Sequence, residues 1–139
     1  MGKIFAEIKL INDDDISLSR RGAIAETDVR QMVVDALVDT GADRLVITES
    51  IKRQLGLQTK EKILVKLANS EIVECERVGP VDIVFKNRST CCYALVLPSA
   101  QSVLLGAIPL EDMDLVVDLT NKQLTLPPDR PYIAMTELY

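Results

Sequence analysis

The chain has 139 residues, 47% of them apolar, a net charge of −5 and no histidine. That length fits one domain with its own core, and sixteen dispersed Lys and Arg argue against a nucleic-acid groove. Two Phe and three Tyr, with no Trp, leave too few rings for a base-stacking platform. Without histidine or a Cys-x-x-Cys pair, neither a metal nor another cofactor is expected. No segment reaches the ~18 uninterrupted apolar residues of a membrane-spanning helix. The alternating start from Lys3 to Leu10 lacks the apolar run of a signal peptide. The odd set Cys75, Cys91 and Cys92 favours a reduced, cytoplasmic compartment over a disulfide framework.

In chain order, residues 3–10 alternate as a strand with Ile4, Ala6, Ile8 and Leu10 on one face. Residues 11–28, with Asn12-Asp13-Asp14-Asp15 and Ser19-Arg20-Arg21-Gly22, read as a long polar hairpin loop. Val29 to Val38 forms the next strand and delivers Asp39 into Thr40-Gly41. Leu45-Val46-Ile47 is a short buried strand. Thr48 then N-caps a helix running to Leu55, with Glu49 in its first turn and Gly56 just past its end. Strands are expected at 62–68, 71–78, 80–86 and 91–97, separated by Asn69-Ser70, Gly79-Pro80 and Asn87-Arg88. Val103-Leu104-Leu105-Gly106-Ala107 feeds a short helix at 109–113, and Leu115–Asp118 pairs with Gln123–Leu126. Asp112 and Asp114 read as surface charge, and Asp118 as a turn former. The expected fold is all-β with one or two short helices.

Asp39 is the informative residue. An apolar strand carries a carboxylate into a tight turn with no cation next to it in sequence, and burying such a group costs several kcal/mol unless donors compensate it. The peptide N–H groups of the turn are candidate donors, and Gly41 lets the backbone come close. Asp, Thr and Gly also form ordinary turns at strand ends, so the tripeptide alone leaves both readings open.

Asp39-Thr40-Gly41-Ala42-Asp43, then Leu45-Val46-Ile47, and later Leu104-Leu105-Gly106, together resemble the retropepsin-like single-domain aspartic proteases over roughly residues 30–126. The resemblance implies an acid-protease β-barrel working as a two-fold homodimer on a peptide or protein substrate. Asp39 would be catalytic, with Thr40, Gly41 and Ala42 as the active-site loop. Asp43 and the flap tip Ala68-Asn69-Ser70 would touch substrate, and Leu104, Leu105 and Gly106 would form an apolar floor. A dyad needs two carboxylates sharing one proton, and this chain has one Asp-Thr-Gly, so the second Asp would come from another copy.

The pattern departs from the retroviral members at the glycine-free flap tip and at Ala107-Ile108, where those relatives place an arginine after the glycine. The departures point to a cellular, prokaryotic-type member. They also leave a second reading, a catalytically weak or inactive dimeric peptide-binding or scaffolding module of the same fold. The protease domain is assigned to residues 1–126, and 127–139 to a proline-rich spacer and tail. The apolar stretch 132–138 is expected to dock on the domain or across the dimer.

Overall fold

A computed structural model describes residues 2–138. The elements run β1 (Phe5–Asn12), α1 (Asp13–Arg20), a 3-10 turn (Glu26–Asp28), β2 (Gln31–Val38), β3 (Leu45–Ile47), α2 (Glu49–Leu55), β4 (Gln58–Lys66) and β5 (Ile72–Phe85). They continue with β6 (Arg88–Val96), β7 (Val103–Leu105), α3 (Ala107–Asp112), β8 (Val116–Asp118) and β9 (Gln123–Thr125). The main sheet has the order β1-β2-β7-β3-β6-β5-β4, and β1 also pairs with β5. Those pairings close six strands into a barrel and leave β4 outside the ring on β5. The chain is mostly β, as expected for a retropepsin-like fold. Among the described residues it carries three short α-helices.

The inward side chains of β1 are its alternate residues Ala6, Ile8 and Leu10, which meet Leu45, Ile47, Val78, Val81, Ile83 and Leu105 in one core. Each large aliphatic side chain buried there contributes about 1.5–3 kcal/mol. Ile51 and Leu55 of α2, Leu110 of α3 and Met113 just past its end join the same core. α2 has the ends read from sequence. The Thr48 hydroxyl accepts the Ile51 N–H at 3.2 Å, and Gly56 takes a left-handed conformation at φ 63°.

The polar stretch 11–28 is not one loop. Asn12 ends β1 and N-caps α1, its side chain accepting the Asp15 N–H at 3.1 Å while three aspartates occupy the first turn. The Asn12 amide also donates to the Leu55 carbonyl at 2.8 Å, and buried Asp15 takes the Arg30 guanidinium at 2.8 and 3.0 Å. Hydrogen bonding to Arg30 holds the Asp15 carboxyl below its usual range. The strands expected at 71–78 and 80–86 are one fourteen-residue strand, β5. A register shift between Val78 and Val81 lifts Gly79-Pro80 out of the ladder with β6, while Gly79 keeps its pairing with Gln58 of β4, so the missing proline N–H breaks no pairing.

The end of the chain is tied down by polar groups. Arg130 grips the Asp114 carboxylate at 2.8 and 3.0 Å, the Met135 N–H adds a third bond at 3.0 Å, and the guanidinium of buried Arg88 donates to the Arg130 carbonyl. Asp114 is therefore an anchor rather than loose surface charge, and the Arg130 hydrogen bonds hold its carboxyl at about 2. The apolar side chains beyond it do not settle on their own domain. Tyr132 is 90% exposed, Ile133 75% and Leu138 83%.

Candidate active site

Asp39 follows the last residue of β2, and its loop is fastened to the segment after β7 by a run of backbone hydrogen bonds. The Asp39 N–H donates to the Leu105 carbonyl at 3.0 Å, and the N–H groups of Ala107 and Ile108 donate back to Ala42 and Asp43 at 2.7 and 2.9 Å. This clamp explains Gly106. A Cβ there would sit 2.5 Å from both the backbone N and O of Arg44 and 2.7 Å from the Ala42 carbonyl. Gly106 has an ordinary φ of −89°, so the requirement is for space. Within the turn, the Gly41 N–H donates to Asp39 Oδ1 at 3.0 Å and holds the half-buried carboxylate in one orientation.

The carboxylate opens into a groove of about 500 Å³ between this loop and the β4–β5 hairpin. Asp39, Gly41, Ala42, Asp43, Ala68 and Leu104 line it. Thr40 is exposed beside it, while Asn69 and Ser70 lie at the hairpin tip outside the lining. Leu105, read with the floor, points into the barrel core, and Gly106 is buried behind the loop. Their part in the site is backbone support rather than contact with the groove.

At the tip, the Asn69 side chain accepts the Glu71 N–H at 2.9 Å, and Leu67 and Ser70 close the turn through backbone bonds. Ser70 adopts φ 69°, a left-handed conformation that glycine would take at lower cost.

Sequence reading missed most of the groove wall: Val46, Ile63, Val65, Leu95 and the cations Arg44, Lys66 and Arg77. One signal was available. Val73 and Arg77 share a strand face by alternation, so an arginine occupies the side that strand otherwise gives to apolar residues.

A model of the aspartyl protease family matches residues 25–108, a span that contains the Asp39 loop, the hairpin and Gly106. The chain belongs to the aspartyl protease family. Membership supports a protease-type function, a hydrolase with peptide as its substrate class. No curated protein matches the chain. Among the described residues, no helix is long and apolar enough to cross a membrane.

Away from this groove, Asp13, Asp82 and Cys91 bring two carboxylates and a thiol within 4.8 Å of one another. Desolvation raises the Asp82 carboxyl, and desolvation followed by the Asp82 hydrogen bond pushes the Cys91 thiol up to about 12. Both effects favour protonated, mutually hydrogen-bonded groups over a set of anionic ligands.

Proposed function

We propose that the protein is a homodimeric aspartic endopeptidase in which the Asp39 residues of two copies activate a water molecule. The observation that carries this reading is the half-buried Asp39 carboxylate, oriented by the Gly41 N–H at 3.0 Å at the end of an apolar groove. With a single Asp-Thr-Gly per chain, the second carboxylate of the dyad would come across a two-fold axis. The exposed Thr40 beside Asp39 is free to meet its counterpart in the partner loop.

In this dyad two facing carboxylates share one proton. The ionised Asp39 takes a proton from water as the oxygen attacks the peptide carbonyl carbon. The protonated Asp39 gives its proton to the carbonyl oxygen, forming a gem-diol, whose collapse with proton transfer to nitrogen breaks the C–N bond. The apolar lining keeps bulk water from the carboxylates and strengthens the hydrogen bonds that orient them. The β4–β5 hairpin serves as the lid.

The test is hydrolysis of denatured casein at mildly acidic pH, with and without pepstatin. Asp39→Asn should abolish cleavage and leave the dimer folded, because volume is kept while the titrating group is lost. Undiminished hydrolysis by that variant would refute the reading. The glycine-free tip, with Ser70 held at φ 69°, favours one alternative, a dimeric peptide-binding module with little or no catalysis. Wild type that binds the peptides but leaves them intact would establish that alternative.

A further inference from the structure

The groove is lined on one side by a cross-strand row. Register pairs Leu104 with Val46, Val46 with Leu95, Leu95 with Arg77 and Arg77 with Glu61. Directly paired residues point to the same face of a sheet. Val46 and Leu95, each 7% exposed, stand outside the barrel core and face the groove instead. The row therefore runs from the strand that supports Asp39, across three apolar side chains, to a guanidinium. Three strand spacings, about 14 Å, separate Leu104 from Arg77.

Arg77 is only partly committed. Its Nη1 meets Glu61 at 2.9 Å, whereas its buried Nε makes no hydrogen bond among the described residues. The Glu61 side chain is 47% exposed at the outer end of the row. An ion pair that exposed contributes little, so Glu61 can yield to a competing carboxylate at small cost. Ile63 and Val65, which alternate with Glu61 on β4, continue the apolar wall beside it. Toward the other end, Asp39 and Asp43 repel anions, although Arg44 lies beside them. The groove thus offers carboxylates near the chemistry, an apolar middle, and a guanidinium at a distance, in a protein whose net charge is −5.

We propose that Arg77 is a specificity-determining residue, selecting peptides that place an Asp or Glu side chain several residues away from an otherwise apolar cleavage segment. A guanidinium can pair with such a carboxylate through two parallel N–H donors, which a neutral isostere cannot match. This inference rests on the groove being the substrate site of the proposed protease and names its substrate class. In a two-fold dimer Arg77 recurs on each side of the scissile bond, so the acidic preference should appear on both sides.

The experiment uses a set of otherwise identical apolar decapeptides carrying one Glu, Gln or Lys moved along the sequence. Wild type should favour Glu over Gln by about tenfold or more at the remote positions, through KM rather than kcat. The preference should shrink as salt is added. The Glu to Gln ratio should fall to near one in Arg77→Gln, whatever the absolute rate, and should invert toward Lys in Arg77→Glu. An unchanged ratio in either variant, or no preference in wild type, overturns the proposal while leaving the protease reading intact. The same peptides titrated by fluorescence anisotropy against Asp39→Asn give a readout independent of cleavage. An acidic preference in binding without cleavage by wild type sustains the role of Arg77 and sinks the protease reading. No preference in binding overturns the role of Arg77.

Discussion

The Asp39 loop and the β4–β5 hairpin face each other across one groove, but they are held by different kinds of bond. The loop is fixed by backbone hydrogen bonds to Leu105, Ala107 and Ile108, close to a glycine with no room for a Cβ. The hairpin extends beyond the barrel on its own two-stranded ladder, and side chains brace it near its base. There, Glu76 takes the Lys52 ammonium at 2.9 Å and the Thr59 hydroxyl. The loop that carries the carboxylate is held along its length, whereas the hairpin across from it is anchored at one end, which in the proposed protease would let a peptide enter.

The sharpest way to break this contrast is Gly106→Ala. The contacted atoms are backbone and cannot swing aside, so the loop or β7 must shift. We expect a loss of about 3 kcal/mol or more by urea denaturation, with proteolysis lost as well. A variant as stable as wild type would show that the clamp is not rigid. Thr40→Ala should act on association rather than folding, weakening the dimer by about 1–3 kcal/mol through an unpaired buried partner. Sedimentation showing an unchanged dissociation constant would remove Thr40 from the dimer contact.

The same contrast predicts a difference in pH response. Hydrogen bonds from Thr59 and then Lys52 hold the Glu76 carboxyl below its usual value of 4.5. A lowered acid contributes stability that is complete above the unfolded value and fades as pH falls through the folded one. Below about pH 4.5 the base of the hairpin should therefore loosen, while the main-chain bonds of the Asp39 loop do not titrate. Hydrogen exchange across residues 58–76 and 39–44 reads the two regions separately. Equal protection changes would erase the distinction. Smallest of all, Ser70→Gly should alter stability by under about 1 kcal/mol, because relief of the left-handed conformation is offset by unfolded-chain entropy. Its effect should appear as faster exchange at the tip alone.

What the sequence disclosed was mainly local. The Asp39-Thr40-Gly41 turn and the Thr48 and Gly56 caps are each made within a few residues, whereas Leu104-Leu105-Gly106 was legible only as a motif, its glycine being required by backbone some sixty residues earlier. α1 was hidden because its support comes from far along the chain, Asn12 reaching Leu55 and Asp15 reaching Arg30. The groove wall was hidden for a related reason. Val46, Leu95 and Arg77 become neighbours only once β3, β6 and β5 are paired. Arg88 looked like an ordinary turn residue, and its burial under the Arg130 anchor depends on a segment forty-two residues away. Propensity and capping reach one turn or one strand, and long-range partners decide the rest.

β5 has a mechanical meaning of its own. Residues 81–84 are gripped on both edges by β1 and β6, residues 76–78 by β4 and β6, and Ile72 to Cys75 pair with β4 alone. This is a cantilever, a beam embedded in a wall with one free end. Such a beam deflects most at its tip and almost not at all at its root, so Ala68 to Glu71 can sweep over an incoming chain while Arg77 stays in place. In the proposed protease, the lid that would admit the peptide and the guanidinium that would measure it are thereby mounted on one strand without disturbing each other.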